Sequence, residues 1–232
     1  MSTRTYHDPL HQSISLNSSI PEEAMVMELI DSEPFQRLRR IKQLGPAYLT
    51  FHGAESSRFT HSLGVFHIAR RAINHLSLLD SSLKRHKSIL YGAALLHDLG
   101  HGPLSHTSEE IFKVKHEHWT AKLIESNQEI STILNKYGEG NSKAISELIN
   151  FRKSSKKVII SLISSQLDCD RLDYLMRDSY TTGARYGQLD IDRIISAMTI
   201  APDGDLAIHP KGIMAVEHYL VIRNLMYRSV YN

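Results

Sequence analysis

The sequence predicts a mainly α-helical bundle carrying a small β-hairpin, and three of its features support that expectation. Apolar residues recur at helical spacing through most of the chain, and Gly, Pro, Asn and Ser break the stripes at intervals. The segment 197–209 instead alternates around a Pro202-Asp203-Gly204 turn. With 232 residues, 41% hydrophobic and 22% charged, the chain can bury one sizeable core, and no internal repeat or low-complexity tract interrupts it. The expected organisation is an N-terminal arm over 1–20 and one helical domain over 21–232.

Residues 1–20 mix Pro9, Ser and Asn with β-prone Ile14 and Leu16, which suits an arm or a small hairpin. Pro21-Glu22-Glu23 is a helix start, and Phe35, Leu38, Ile41 and Leu44 keep helical spacing up to Gly45-Pro46, with two helices meeting near 31–34. A third helix is expected over 60–79, with Leu63, Phe66, Ala69, Ile73 and Leu76 in its stripe and His61 in its first turn. The fourth, over 88–99, is apolar on most sides and should lie centrally, with His97 and Asp98 at its end before Gly100. Helices follow over 107–126, 142–150 and 157–179, then the hairpin of Met198, Ile200, Leu206 and Ile208, then a last helix from Gly212. That helix is still periodic at Tyr231-Asn232, so the native chain is expected to continue.

One cysteine, Cys169, leaves no internal disulfide, and a reducing cytoplasm is the expected location. No stretch approaches the ~18 uncharged apolar residues of a membrane span. A net charge of +2 does not support nucleic-acid binding, which needs clustered Lys and Arg. The histidines are more informative: of 14, His97, His101, His106, His116 and His118 fall between 97 and 118, a concentration that suits a metal and phosphate site.

Activation of water for attack on phosphorus calls for ligands that mix imidazole with carboxylate and leave coordination positions open. His61, His97, Asp98 and Asp170 could supply two nitrogens and two oxygens. His97-Asp98 can serve one ion because it falls at a helix end, while His61 and Asp170 come from other helices. The plainer alternative is a polar helix terminus. It is disfavoured because the preceding helix is apolar, and buried Asp beside buried His is costly unless paired or metallated.

Three stretches carry a resemblance: Arg58-Phe59-Thr60-His61-Ser62-Leu63-Gly64, His97-Asp98-Leu99-Gly100-His101-Gly102-Pro103-Leu104-Ser105-His106, and Asp168-Cys169-Asp170-Arg171-Leu172-Asp173-Tyr174-Leu175-Met176-Arg177-Asp178. Together they resemble the HD-domain dNTP triphosphohydrolases, most closely the branch of the animal SAM-and-HD-domain enzyme and its bacterial relatives. The likeness runs from about Asp8-Pro9 to Tyr231, with no SAM domain and without the family's C-terminal lobe. It implies an HD-domain helical bundle with one divalent ion (Fe, Mn, Ni, Zn or Mg) and hydrolysis of a dNTP to deoxynucleoside and inorganic triphosphate.

The resemblance also assigns roles. His101 and His116 would contact the phosphates, and His106 would act at the leaving-group side. Glu109, at i+3 from His106, would orient that imidazole. His118 points elsewhere and reads as a surface residue. Asp170, Tyr174 and Asp178 share a helix face by their i, i+4, i+8 spacing. By resemblance Tyr174 packs against the deoxyribose and Asp178 bonds its 3′-hydroxyl, whereas Asp173 and Arg177 fit a solvated polar face. Arg58 and Arg223 correspond to arginines that grip the triphosphate, Gln43 and Leu44 to the sugar side of the pocket, and Tyr231 to a tyrosine near the nucleotide. Arg4, Asp31, Gln36 and Arg39 match positions that bind an activating nucleotide, and a homo-oligomer is expected. Two other readings stay open: an HD phosphohydrolase acting on nucleoside monophosphates, cyclic dinucleotides or alarmones, or a catalytically silent nucleotide- or nucleic-acid-binding protein.

Overall fold

The computed structural model describes residues 2–186 and 188–231. The chain opens as an antiparallel hairpin, β1 (Thr3–Asp8) with β2 (Gln12–Asn17), in register from Thr3↔Asn17 to Asp8↔Gln12. Strand alternation turns Ile14 and Leu16 inward, where both are fully buried. The segment expected as an arm therefore contributes one face to the main core.

α1 (Pro21–Asp31) begins on its proline, with Glu22 and Glu23 in the first turn, and buries Met25, Val26, Leu29 and Ile30. Ser32 is extended, and α2 (Glu33–Gln36) restarts with Pro34 in its first turn. The helical spacing that predicted a helix up to Gly45 fails at Ile41, where the chain becomes extended after a 3₁₀ turn. Gln43 N–H then donates to Ser56 O at 2.9 Å and Lys42 bridges Ser57, so Gln43 and Leu44 are carried to the start of the next helix.

That helix, α3 (Arg58–Leu79), packs against α4 (Lys87–Leu96) and α10 (Cys169–Thr182) to form the centre of the bundle. As expected from its composition, α4 is buried from Leu90 to Leu96. The helix expected over 107–126 is two, α5 (His106–Phe112) and α6 (His116–Ser126), because Lys113 adopts the left-handed conformation with φ 54°. α7 (Gln128–Lys136) was not foreseen; its short stripe of Ile130 and Leu134 is started by Asn127, whose side chain caps Ile130 N–H. α8 (Asn141–Phe151) follows Gly140, which takes φ 80°.

The helix expected over 157–179 is also broken, into α9 (Lys157–Ile163) and α10, whose N-cap Asp168 accepts from Arg171 N–H at 2.8 Å. The unforeseen α11 (Ile191–Ala197) leads into the predicted hairpin, β3 (Met198–Ile200) with β4 (Leu206–Ile208), paired Met198↔Ile208 and Ile200↔Leu206. α12 (Ile213–Met226) ends in a π turn over Tyr227–Tyr231. Among the described residues no helix is long and apolar enough to cross a membrane.

Candidate metal centre

Asp173 organises the first ligand. His61 Nδ1 donates to Asp173 Oδ2 at 2.7 Å, which fixes the tautomer and leaves Nε2 facing Asp170 Oδ1 at 3.0 Å. His97 is prepared the same way, its Nδ1 donating to Ala94 O at 2.9 Å while its Nε2 lies 3.3 Å from His61 Nε2. Asp98 completes the set, with Oδ2 at 3.7 Å from His61 Nε2 and Oδ1 at 3.4 Å from His97 Nε2. The turn after α4 brings Asp98 and His97 to the same point, and Gly100 allows α6 to dock against that turn. A Cβ on Gly100 would overlap His116 O and Thr120 N, and Thr120 Oγ1 donates to His97 O at 2.9 Å.

The donor chemistry fits a divalent cation. The donor atoms of His61, His97 and Asp170 lie within 4.8 Å of one another, close enough for one ion at the usual ~2.0–2.2 Å from N and O ligands, and Asp98 stands beside them at 3.4–3.7 Å from the two imidazoles. Arg58 adds a fixed positive charge beside these donors. Burial lowers the His61 pKa, but its bonds to Asp170 and Asp173 outweigh that and raise it to about 10. Burial likewise opposes ionisation of Asp98, yet Arg58, His97 and His101 hold it well below the usual carboxylate range. Arg58, expected on the triphosphate, is 3% exposed, and it donates to Asp98 Oδ2, Ser105 Oγ and Gln43 O.

A second cluster stands beside the first. His101 and His116 stack with centroids 3.9 Å apart, and His101 Nε2 lies 3.3 Å from Asp98 Oδ1. Glu109 Oε1 accepts from His106 Nδ1 at 3.1 Å and from His116 Nδ1 at 2.5 Å, so one carboxylate sets two imidazoles. Burial raises the Glu109 pKa, but the bond to His116 and the neighbouring imidazoles bring it down to about 2. His106 is largely exposed toward the cavity, and His118 is on the surface.

These groups border a cavity of about 420 Å³ lined by Gln43, Leu44, Arg58, Asp98, His106, His116, Asp170, Tyr174, Asp178 and Tyr231, among others. Asp178 is 2% exposed; Tyr231 Oη donates to its Oδ2 at 2.8 Å, while Oδ1 has no partner among the described residues. Burial pushes the Asp178 carboxyl up to about 7. Gln43 Oε1 is likewise buried without a partner among the described residues. Tyr174 and Tyr231 meet edge to face at 5.8 Å.

Three sequence expectations change here: His101, expected on the phosphates, is 1% exposed behind His116 and does not line the cavity. Arg223 is absent from the cavity lining and bonds Gln166 Oε1 at 2.7 Å. Arg171 and Tyr227 line the cavity instead, although neither was picked out from the sequence. Asp173 and Arg177, expected on a solvated face, are 0% and 2% exposed and form a buried ion pair, because their side of α10 meets α3 and the first hairpin. Their i, i+4 spacing was legible, but water and protein look alike to a polar stripe. Of the positions matched to an activator, Arg4 pairs with Asp31 at 2.7 Å and Arg39 Nε donates to Gln36 Oε1 at 2.7 Å.

Close approach of α3 to α10 requires Gly64, since a Cβ there would overlap Asp173 Oδ1. Gly64→Ala should cost about 1–3 kcal/mol of stability through overpacking and weaken metal binding by roughly 10–100-fold through displaced Asp173. Thermal melting and chelator competition would measure both; unchanged metal affinity would count against Asp173 as the support of His61.

Residues 58–177 match the HD domain and residues 189–232 match the HD associated region. An uncharacterised Bacillus subtilis protein, YwfO, is 43% identical over 98% of this chain and 51% of its own length. A Dictyostelium discoideum homolog of the deoxynucleoside triphosphate triphosphohydrolase SAMHD1 is 34% identical over 77% of this chain and 37% of its own. Among solved structures, a phosphohydrolase from Bacteroides thetaiotaomicron superposes with TM-score 0.83 at 34% identity, covering 99% of this chain and 54% of that one. A hypothetical protein from Aquifex aeolicus superposes with TM-score 0.86 at 35% identity, covering 99% and 60%. The chain spans about half the length of the first curated relatives it matches.

Proposed function

Because the chain belongs to the HD-domain family, we propose that it is a metal-dependent phosphohydrolase that cleaves dNTPs to deoxynucleoside and inorganic triphosphate. The observation that carries the dNTP reading is the composition of one cavity: Asp98, Asp170 and His116 line it together with Asp178, whose buried Oδ1, beside Tyr174, lacks a partner among the described residues. An orphaned buried acceptor is costly unless a ligand donor satisfies it, and a sugar hydroxyl is such a donor. Tyr174 packs on the same sugar and limits room at its 2′ position.

When bound, the divalent ion supplies positive charge for the phosphate oxygens and makes water more acidic. His116 faces the phosphates from beside Asp98, with buried His101 stacked behind its ring, and Arg171 supplies the cationic fork expected of Arg223. His106, held through Nδ1 by Glu109, presents Nε2 for the proton that the leaving 5′ oxygen takes up. Activation by a nucleotide at Arg4, Asp31, Gln36 and Arg39, homo-oligomeric assembly and a cytoplasmic location belong to the same proposal. The Arg4–Asp31 and Gln36–Arg39 pairs would have to open to receive an activator.

The test is incubation of the full chain with each dNTP and with GTP, in Mn²⁺, Fe²⁺, Ni²⁺, Zn²⁺ or Mg²⁺, followed by product chromatography. Inorganic triphosphate is expected from dNTPs. GTP should turn over roughly 10–100-fold more slowly than dGTP, as a clash or unpaired hydroxyl of about 1–3 kcal/mol requires. Release of orthophosphate or pyrophosphate, or turnover confined to monophosphates, cyclic dinucleotides or alarmones, would replace this reading with another HD phosphohydrolase. Salt-sensitive binding without turnover would indicate a silent binding protein.

A further inference from the structure

His11 has no part in the nucleotide reading, yet its side chain is only 4% exposed and its Nε2 lies 2.6 Å from Asp173 Oδ1. It sits in the turn between β1 and β2, 162 positions from its partner. Asp8 aims it: Asp8 Oδ1 accepts from Leu10 N–H at 2.9 Å and His11 N–H at 3.0 Å, closing the turn. Asp8 Oδ2 accepts from Arg177 Nη1 at 2.9 Å, tying the same turn to α10.

Asp173 is thus held by four donors. Its Oδ1 takes His11 Nε2 and Arg177 Nη2, and its Oδ2 takes His61 Nδ1 and Arg177 Nε. A carboxylate gripped on both oxygens cannot rotate about its Cβ–Cγ bond, so the acceptor that orients His61 stays in place. Loss of His11 would leave Oδ1 on one donor, Arg177 Nη2, so the carboxylate would be free to shift together with the flexible Arg177 fork relative to His61 Nδ1. Its ring also meets that of His67 at 5.3 Å between centroids, while Ile14 and Leu16 supply the buried apolar face of the hairpin.

We propose that His11 is a positioning residue of the metal centre: the N-terminal hairpin delivers it to Asp173, and through Asp173 it fixes the orientation of His61. The inference rests on the reading of His61 as a metal ligand. Supports of this kind change metal affinity by roughly 10–100-fold when removed.

The experiment compares the full chain with His11→Leu, which keeps bulk without a donor, His11→Gln, whose amide keeps a donor of similar reach, and His61→Ala. Mn²⁺ affinity is measured by chelator competition, the melting temperature on metal-free protein, and kcat and KM for a dNTP at saturating Mn²⁺. His11→Leu is expected to weaken Mn²⁺ binding roughly 10–100-fold with KM unchanged, and His11→Gln to recover most of the loss. Should His11→Leu fail to fold, His11→Ala replaces it: weakened Mn²⁺ binding rescued by excess Mn²⁺ supports the inference, and wild-type Mn²⁺ affinity overturns it. Unchanged Mn²⁺ affinity in a folded His11→Leu, even with a lower melting temperature, overturns the inference by reducing His11 to a hairpin packing role. Retention of Mn²⁺ by His61→Ala would instead overturn the ligand reading, and this inference with it.

Discussion

His61→Ala is expected to strip the ion from the protein and to abolish turnover, with kcat/KM falling at least ~10²–10³-fold, the order lost when one charge-stabilising group is removed from a transition state. His61 lies at the centre of the set, within 3.0–3.7 Å of donor atoms from His97, Asp98 and Asp170, so its loss opens the array from the middle. The variant also frees Asp173 Oδ2, which Arg177 still neutralises, so the fold should survive. Asp98→Ala should lose metal as well and cost more stability, about 3–5 kcal/mol, because it leaves the Arg58 guanidinium buried without its counter-charge. Elemental analysis with product assays checks both variants; full metal occupancy in either would show that the four donors do not act as one site. Since metal ligation joins α3, the end of α4 and α10, chelation should lower the melting temperature of the wild type.

The second large effect is expected at His106. His106→Ala should retain metal and substrate while kcat falls roughly 10²–10⁴-fold, the usual contribution of a positioned proton donor. Its ring is anchored by Glu109 and stands apart from the His61 and His97 donors, so the ion should stay. Desolvation by the surrounding cavity wall, Arg58 and His116 lower its pKa while Glu109 opposes them, so Glu109→Gln should reproduce part of the loss. Single-turnover kinetics separates the steps; a variant with normal kcat and raised KM would make His106 a binding residue.

The hairpin of 197–209 and the central α4 were legible because local rules suffice for them: a Pro-Asp-Gly turn between alternating residues, and an apolar stretch too long to face water. The breaks at Ile41, Lys113 and 164–168 were not. In each case a side-chain stripe continued while the backbone met a partner elsewhere or took a left-handed turn. Among site residues, His61, His97, Asp98 and Asp170 could be named from residue type and helix position, and the fold brings their donor atoms together. Arg223 could not be placed, because its partner is Gln166, a residue from the loop before α10 that no local spacing pairs with it, while Tyr227, one turn further along, reaches the cavity.

Sequence by itself determined the helical class, the order of the motifs and which residues of α10 share a face. It could not say that the face bearing Asp173 and Arg177 is sealed, since a polar stripe is compatible with water or with buried partners. Tertiary structure decided that, by bringing His11 and Asp8 from the other end of the chain onto α10. The physical reason is desolvation: a buried carboxylate persists only where donors surround it, and donors such as His11 and His61 reach Asp173 from elements whose proximity no local spacing encodes.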